Sequence, residues 1–252
     1  MAPPLIDMTN PEAVLREVFD EDRHVKDQFA LHLGADLPEL AEALGACFRL
    51  RPRLSDAANR DRTVRTALVA AFVFGMLDDV LTSTKLLVTG EVLASGNLTR
   101  QVIEGIAMAA LCSTDDLLII DAKKPRPVMA RYWKKLEAGD ARTQGHRAVA
   151  QLKLNAAALE FNADAVGRLE RAKPHYNGFS HAGTFSIAAR VALREPGMAF
   201  VGGHFDDAKL DGYRAELRER ISLCRVLPAF KGRMLASIET GRGGAAAPAG
   251  PH

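Results

Sequence analysis

The 252-residue sequence has few cysteines, and none is placed to read as a disulfide framework or a metal clip. Cys47, Cys112 and Cys224 lie far apart, odd in number and without a CxxC, so they read as reduced, buried thiols. A long apolar run is also missing. The longest, 67–77, has 11 residues, against the roughly 20 that a membrane-spanning helix needs. The N-terminal stretch is acidic and lacks a basic segment followed by an apolar one, which excludes a secretory leader from the reading and makes the cytoplasm the expected location. Glycine-rich nucleotide cradles (GxGxxG, or GxxxxGK followed by Ser or Thr), the GxSxG elbow, HExxH and ExxH are absent, and His24, His32, His146 and His204 are dispersed. Neither a cofactor nor a metal is expected.

What is present is ordinary in bulk. Hydrophobic residues make up 48% and charged residues 25%, which excludes collagen-like, disulfide-scaffold and wholly disordered chains. The apolar spacing is helical almost throughout. Val14, Val18, Val25, Phe29 and Leu33 share one stripe, predicting a helix capped by Asn10 with Pro11 in its first position and closed by Gly34. Residues 36–50 predict a second helix, and 49–53 a break. The segment 61–89 is apolar on nearly all faces at its centre and belongs inside the domain, with Gly90 as its C-cap. Asn97 can cap a helix running to Cys112. The stretch 113–127 reads as a loop whose LLII is either a short strand or a buried helical turn. Helical patterns resume over 128–136, 141–159 and 163–172, stop at Pro174, and continue over 176–193 and 206–238, where Pro228 should kink or end the first half. The predicted class is all-α: acidic N-terminal helices over 1–60 packed on a helical bundle over 61–238, then a low-complexity tail over 239–252 expected to be disordered.

The formal net charge of +2 conceals a segregation. Residues 1–45 hold ten acids and three bases, a net of −7, whereas 123–153 hold nine bases and two acids, a net of +7. The basic stretch includes Lys123, Lys124, Arg126, Arg131, Lys134 and Lys135 beside Tyr132 and Trp133, a combination that can hold phosphates and stack on a base. The alternative is that it docks on the acidic N-terminal helices, within the chain or in a dimer.

The densest site candidate is 168–181, where Arg168, Arg171 and Lys173 precede His175, Tyr176, Ser180 and His181. Histidine titrates near neutrality, so histidine with arginine can serve as base and charge stabiliser for metal-free phosphodiester cleavage. The competing reading is a hydrogen-bonded helix interface. Arg100 and Glu104, one turn apart on a mostly apolar helix, must be paired or exposed. Asp78-Asp79 resembles the aspartate-rich magnesium motif of isoprenoid synthases, but its downstream partner is missing, so capping or an ion pair explains it better.

Taken together, Leu98-Thr-Arg100-Gln101-Val-Ile-Glu104 and, downstream, His175-Tyr176-Asn177-Gly178-Phe179-Ser180-His181-Ala182-Gly183-Thr184 resemble HEPN-like all-α bacterial proteins, uncharacterised families related to abortive-infection proteins. The resemblance spans about residues 65–235. It implies a helical bundle, a homodimer, and action on RNA in defence or stress response, either as a metal-independent ribonuclease with Arg168, His175 and His181 catalytic, or as a non-catalytic interaction module. An antitoxin or defence protein is the implied protein partner. Active members set a polar residue after the arginine. Here Leu169 follows Arg168, and Pro174 is expected to break the helix that should align Arg168 with His175. In that case Tyr176, Ser180 and His181 would contact Arg100 and Glu104 across the bundle as a structural polar cluster.

Overall fold

Thr63 opens the central element. Its hydroxyl accepts from the Thr66 amide at 3.2 Å while the Thr66 hydroxyl accepts from the Thr63 amide, a reciprocal cap that satisfies amides a helix start leaves orphaned. From there α5 (Val64–Val88) turns through 89–91 into α6 (Val92–Cys112). Gly90 makes that turn at φ +80°, and a Cβ there would lie 2.1 Å from the His204 carbonyl oxygen. Both the left-handed backbone and the lack of space demand glycine. The two helices pack along each other. Val69, Val73, Met76 and Val80 of α5 join Val102, Ile106, Ala109 and Leu111 of α6 in the main core, where each fully buried aliphatic side chain contributes roughly 1.5–3 kcal/mol over leaving it in water.

The computed structural model describes residues 9–122, 126–195 and 197–240, so Lys123, Lys124 and most of the low-complexity tail lie outside the described residues. The protein is mostly helical and all-α. Before the central pair come α1 (Pro11–Val18), α2 (Arg23–Leu33), α3 (Leu37–Phe48) and α4 (Arg51–Arg60). After it, β1 (Leu117–Asp121) pairs antiparallel with β2 (Val128–Arg131), and the chain continues as α7 (Tyr132–Glu137), α8 (Gly145–Asn155), α9 (Ala163–Asn177), α10 (Thr184–Arg190) and α11 (Leu210–Thr240). α8 and α9 pack on α6, while α11 lies along α3, α4 and α5. A second cluster, with Val25, Phe29, Leu33 and Leu40 against Leu87, Tyr213, Leu217 and Ile221, seats α2 and α3. Among the described residues, no helix is long and apolar enough to cross a membrane.

Several expectations from the sequence differ from the structure for local reasons. The first stripe is two helices, because the chain bends at Asp22, whose φ is 50°; Val18 is left 70% exposed. Arg51 and Pro52 begin α4 instead of ending structure, since proline is tolerated in a first turn. α6 starts at Val92, so Asn97 lies inside it rather than capping it. LLII is a strand. Asn155 fixes it by accepting from the Ile119 amide at 2.8 Å and donating to the Ile119 carbonyl at 2.9 Å.

Pro174, expected to break a helix, and Pro228, expected to kink or end one, both lie inside helices. Pro174 sits in the last turn of α9, where little hydrogen bonding follows it. Pro228 lies within α11, where it cannot donate to the Cys224 carbonyl one turn back. The Cys47 thiol of α3 takes that acceptor instead, at 3.1 Å. Among the described residues, no ion pair joins the acidic N-terminal helices to the basic segment: Glu39 pairs with Arg225 of α11, while Arg142 pairs with Asp140 and Lys153 with Glu170.

Candidate functional site

Because α9 runs unbroken through Pro174, Arg168, Arg171 and His175 fall at i, i+3 and i+7 and share one face. Arg168 and His175 are thus two turns apart, about 10 Å along the axis. Arg168 is exposed and has no hydrogen-bond partner among the described residues. The break assumed at Pro174 does not exist, and the alignment it was expected to prevent is present.

His175 is held from behind. Its Nε2 lies 2.9 Å from Glu216 Oε1 while the side chain stays 54% exposed. Glu216 comes from α11, and its other oxygen accepts from Arg220 Nη1 at 2.9 Å and from the Tyr176 hydroxyl at 3.3 Å. Arg220 is 1% exposed. Its Nη1 also donates to the Glu216 carbonyl at 2.7 Å, and Nη2 donates to Ser95 Oγ at 2.6 Å and Thr99 Oγ1 at 3.0 Å, both on α6. A buried guanidinium is tolerable only when its donors are used in this way. Only its Nε is unpartnered. Burial, then the Glu216 carboxylate, push the Tyr176 phenol up from its ordinary value of 10.0, so Tyr176 stays a proton donor to Glu216.

Glu216 also accepts from Arg220 and Tyr176, so His175 Nε2 is the donor in their contact, and Nδ1 makes no hydrogen bond among the described residues. A carboxylate behind an imidazole fixes the orientation of the ring. Phe179 and Tyr176 flank the ring edge-on, with centroids at 5.3 and 4.9 Å. Phe179 itself packs on Gly96 of α6, where a Cβ would stand 1.9 Å from its ring.

The remaining sequence candidates are placed as follows. His181 is exposed in the turn between α9 and α10 and has no partner among the described residues. Ser180 donates to Asn97 Oδ1 at 2.9 Å, and Tyr176 bonds Glu216; neither bonds Arg100 or Glu104, which correct the expected cluster by pairing with each other at 3.6 Å. In the basic stretch, Tyr132 is fully buried with its hydroxyl on Gln151 at 3.0 Å, so it cannot stack on a base. Trp133 is half-buried, its indole N–H donating to Asp115 at 2.9 Å with Lys134 over its ring at 5.3 Å. Arg131 donates to the Asp115 carbonyl. Arg126 and Lys134 are exposed, and Lys135 is half-buried.

Glu216, Arg220, Ser95 and Thr99 were not singled out from the sequence. The signal was available: Glu216 and Arg220 sit one turn apart within the apolar stripe Tyr213, Leu217, Ile221, Cys224, where a charge must find a partner. Among the described residues, no group of three or more His, Cys, Asp or Glu side chains could hold a metal ion. No family model, curated protein or solved structure matches the chain.

Proposed function

We propose that the protein acts on RNA through the exposed face of α9, as a HEPN-like, metal-independent endoribonuclease of bacterial defence or stress response. The observation that carries the reading is His175, half-exposed and backed by Glu216 and Arg220, on the same helical face as Arg168 and Arg171. In that arrangement Nδ1 of His175 takes the proton of an RNA 2′-hydroxyl. The 2′-oxygen attacks phosphorus, the bond to the 5′-oxygen breaks, and the leaving oxygen is protonated by the imidazolium. Arg168 and Arg171 supply positive charge to the phosphate as its negative charge concentrates in the transition state. His181 adds a second imidazole near the end of that face. Arg126, Lys134 and Lys135, with Lys123 and Lys124, extend the charge available to an RNA backbone.

The buried Arg220 network favours a second reading, a non-catalytic interaction module in which Glu216 and Arg220 only lock α11 to α6 and α9. In either reading the chain works as a homodimer or with an antitoxin-like or defence partner. Incubating purified protein with total RNA, with and without EDTA, beside His175→Ala and Arg168→Ala separates them. The ribonuclease reading predicts degradation that survives EDTA and is lost in both variants. Intact RNA in every lane favours the module.

A further inference from the structure

A cavity of about 490 Å³ opens between α5, α6 and the turn that leads into α8. Its walls are apolar: Phe72 and Met76 from α5, Met108 from α6 and Leu136 from α7. Its polar edge carries Glu104, Asp79 and Asp140. The three carboxylates differ in how they are served. Asp140 is satisfied by Arg142, whose Nε and Nη2 donate to its two oxygens at 2.8 and 2.5 Å. Glu104 has only Arg100, at 3.6 Å, beyond hydrogen-bond length. Its Oε1 is buried and has no donor, and Arg100 Nε beside it is buried with no acceptor. Asp79 has no cationic partner among the described residues. Burial, and then the neighbouring Asp78, push its carboxyl above the ordinary 3.8, as expected for a half-buried carboxylate without a counter-charge.

A buried acceptor without a donor costs about 1–3 kcal/mol, and more when charged. Such a group is kept either because it is compensated elsewhere or because something fills it. The start of α8 lies close by: a Cβ at Gly145 would stand 3.0 Å from Glu104 Oε2. The geometry points to a binding site for a small organic cation: a primary ammonium that donates to Glu104 Oε1 and is balanced by Asp79, with an aryl or alkyl body lying against Phe72, Met76, Met108 and Leu136. Each part of such a ligand answers something at the site. The N–H groups supply the missing donor, the single positive charge offsets the carboxylate without a cation, and the body covers the apolar walls. The site is separate from the His175 face, and its ligand is not RNA.

Titration calorimetry on the full chain tests it with phenethylamine and cyclohexylmethylamine, each beside the alcohol of the same skeleton. The amines are expected to bind and the alcohols to bind about tenfold or more weakly, as follows from losing a hydrogen bond to a charged group. Glu104→Gln, which keeps the shape, is expected to remove that preference. Binding of amine and alcohol with equal affinity, no heat from either amine, or an unchanged preference in a folded Glu104→Gln would each overturn the proposal. If Glu104→Gln does not fold, the amine-to-alcohol ratio on the unaltered protein decides alone. RNA degradation is read separately on the same preparation, and loss of one activity leaves the other standing.

Discussion

Glu216–Arg220 on α11 and Arg100–Glu104 on α6 are both acid–arginine pairs one helical turn apart, yet the structure treats them differently. In the first, the charges meet at 2.9 Å, Ser95, Thr99 and Tyr176 take up the neighbouring hydrogen bonds, and the carboxylate still has an oxygen for His175. In the second, the charges stand 3.6 Å apart, each residue keeps a buried atom without a partner, and a cavity lies alongside. Spacing along a helix therefore says that two charges can meet, not that they do. What decides is whether the surrounding helices bring hydroxyls and carbonyls within hydrogen-bond reach of the pair. Among the described residues Arg220 Nε is unpartnered too, but both oxygens of Glu216 are served, whereas Glu104 keeps a buried oxygen with bonding capacity for a ligand.

The sharpest way to break this contrast is to remove one acid from each pair. Glu216→Ala leaves Arg220 buried without its counter-ion and is expected to cost about 3–5 kcal/mol. Glu104→Ala removes an acceptor that was not satisfied and is expected to cost less than about 1 kcal/mol. Urea denaturation with equal midpoint shifts for the two would erase the distinction. Next in size is Gly96→Ala, which drives a methyl into the Phe179 ring and should cost about 1–3 kcal/mol by overpacking. It should also displace His175 from its aromatic flank, lowering the proposed RNA cleavage without touching a charge.

Lys231 sharpens the comparison from the other side, as a third charge in the α11 stripe. It is 1% exposed and its Nζ has no hydrogen-bond partner among the described residues. Burial holds its ammonium below the ordinary 10.5, so between the folded-state value and 10.5 the unfolded chain binds more protons, and stability rises with pH across that window. The penalty is full below the window and relieved above it. Lys231→Met should therefore stabilise by about 1 kcal/mol at pH 7 and by less when denaturation is repeated at alkaline pH. A gain independent of pH would contradict this account. The smallest effect concerns a saturated carbonyl. Cys47→Ala should cost about 0.5–1 kcal/mol more in the native background than in a Pro228→Ala background, where the backbone amide restored at that position supplies the donor that Cys47 now provides. A double-mutant cycle in chemical denaturant reads the difference.

The helical class, the core at 61–112 and the caps at Asn10 and Gly90 were legible in the sequence because they depend on local spacing and backbone preference. The continuity of α9 was not, and for α11, expected over 206–238, what carries the helix past Pro228 was not. Proline removes a donor wherever it stands, but whether the helix survives depends on what the orphaned carbonyl finds. For Pro228 the answer is a thiol on α3, 177 positions away in the chain from the carbonyl it serves. The candidate site was half legible: His175, Tyr176 and Ser180 stood out as a polar run, while their real partners, Glu216 and Asn97, come from other helices. In the basic stretch the burial of Tyr132 was not legible either, because its partner Gln151 comes from α8, whereas Trp133 is half-buried with its indole N–H on Asp115.

The central claim is that the Glu216–Arg220 pair serves His175 as well as the fold, so that the imidazole moves a proton on RNA. End-group mapping of a labelled single-stranded RNA, incubated in EDTA with wild type and His175→Ala, tests it most directly. The account predicts cyclic phosphate and 5′-hydroxyl ends with the wild-type protein and none with the folded variant. Full-length RNA in both, or the same ends in both, would contradict it.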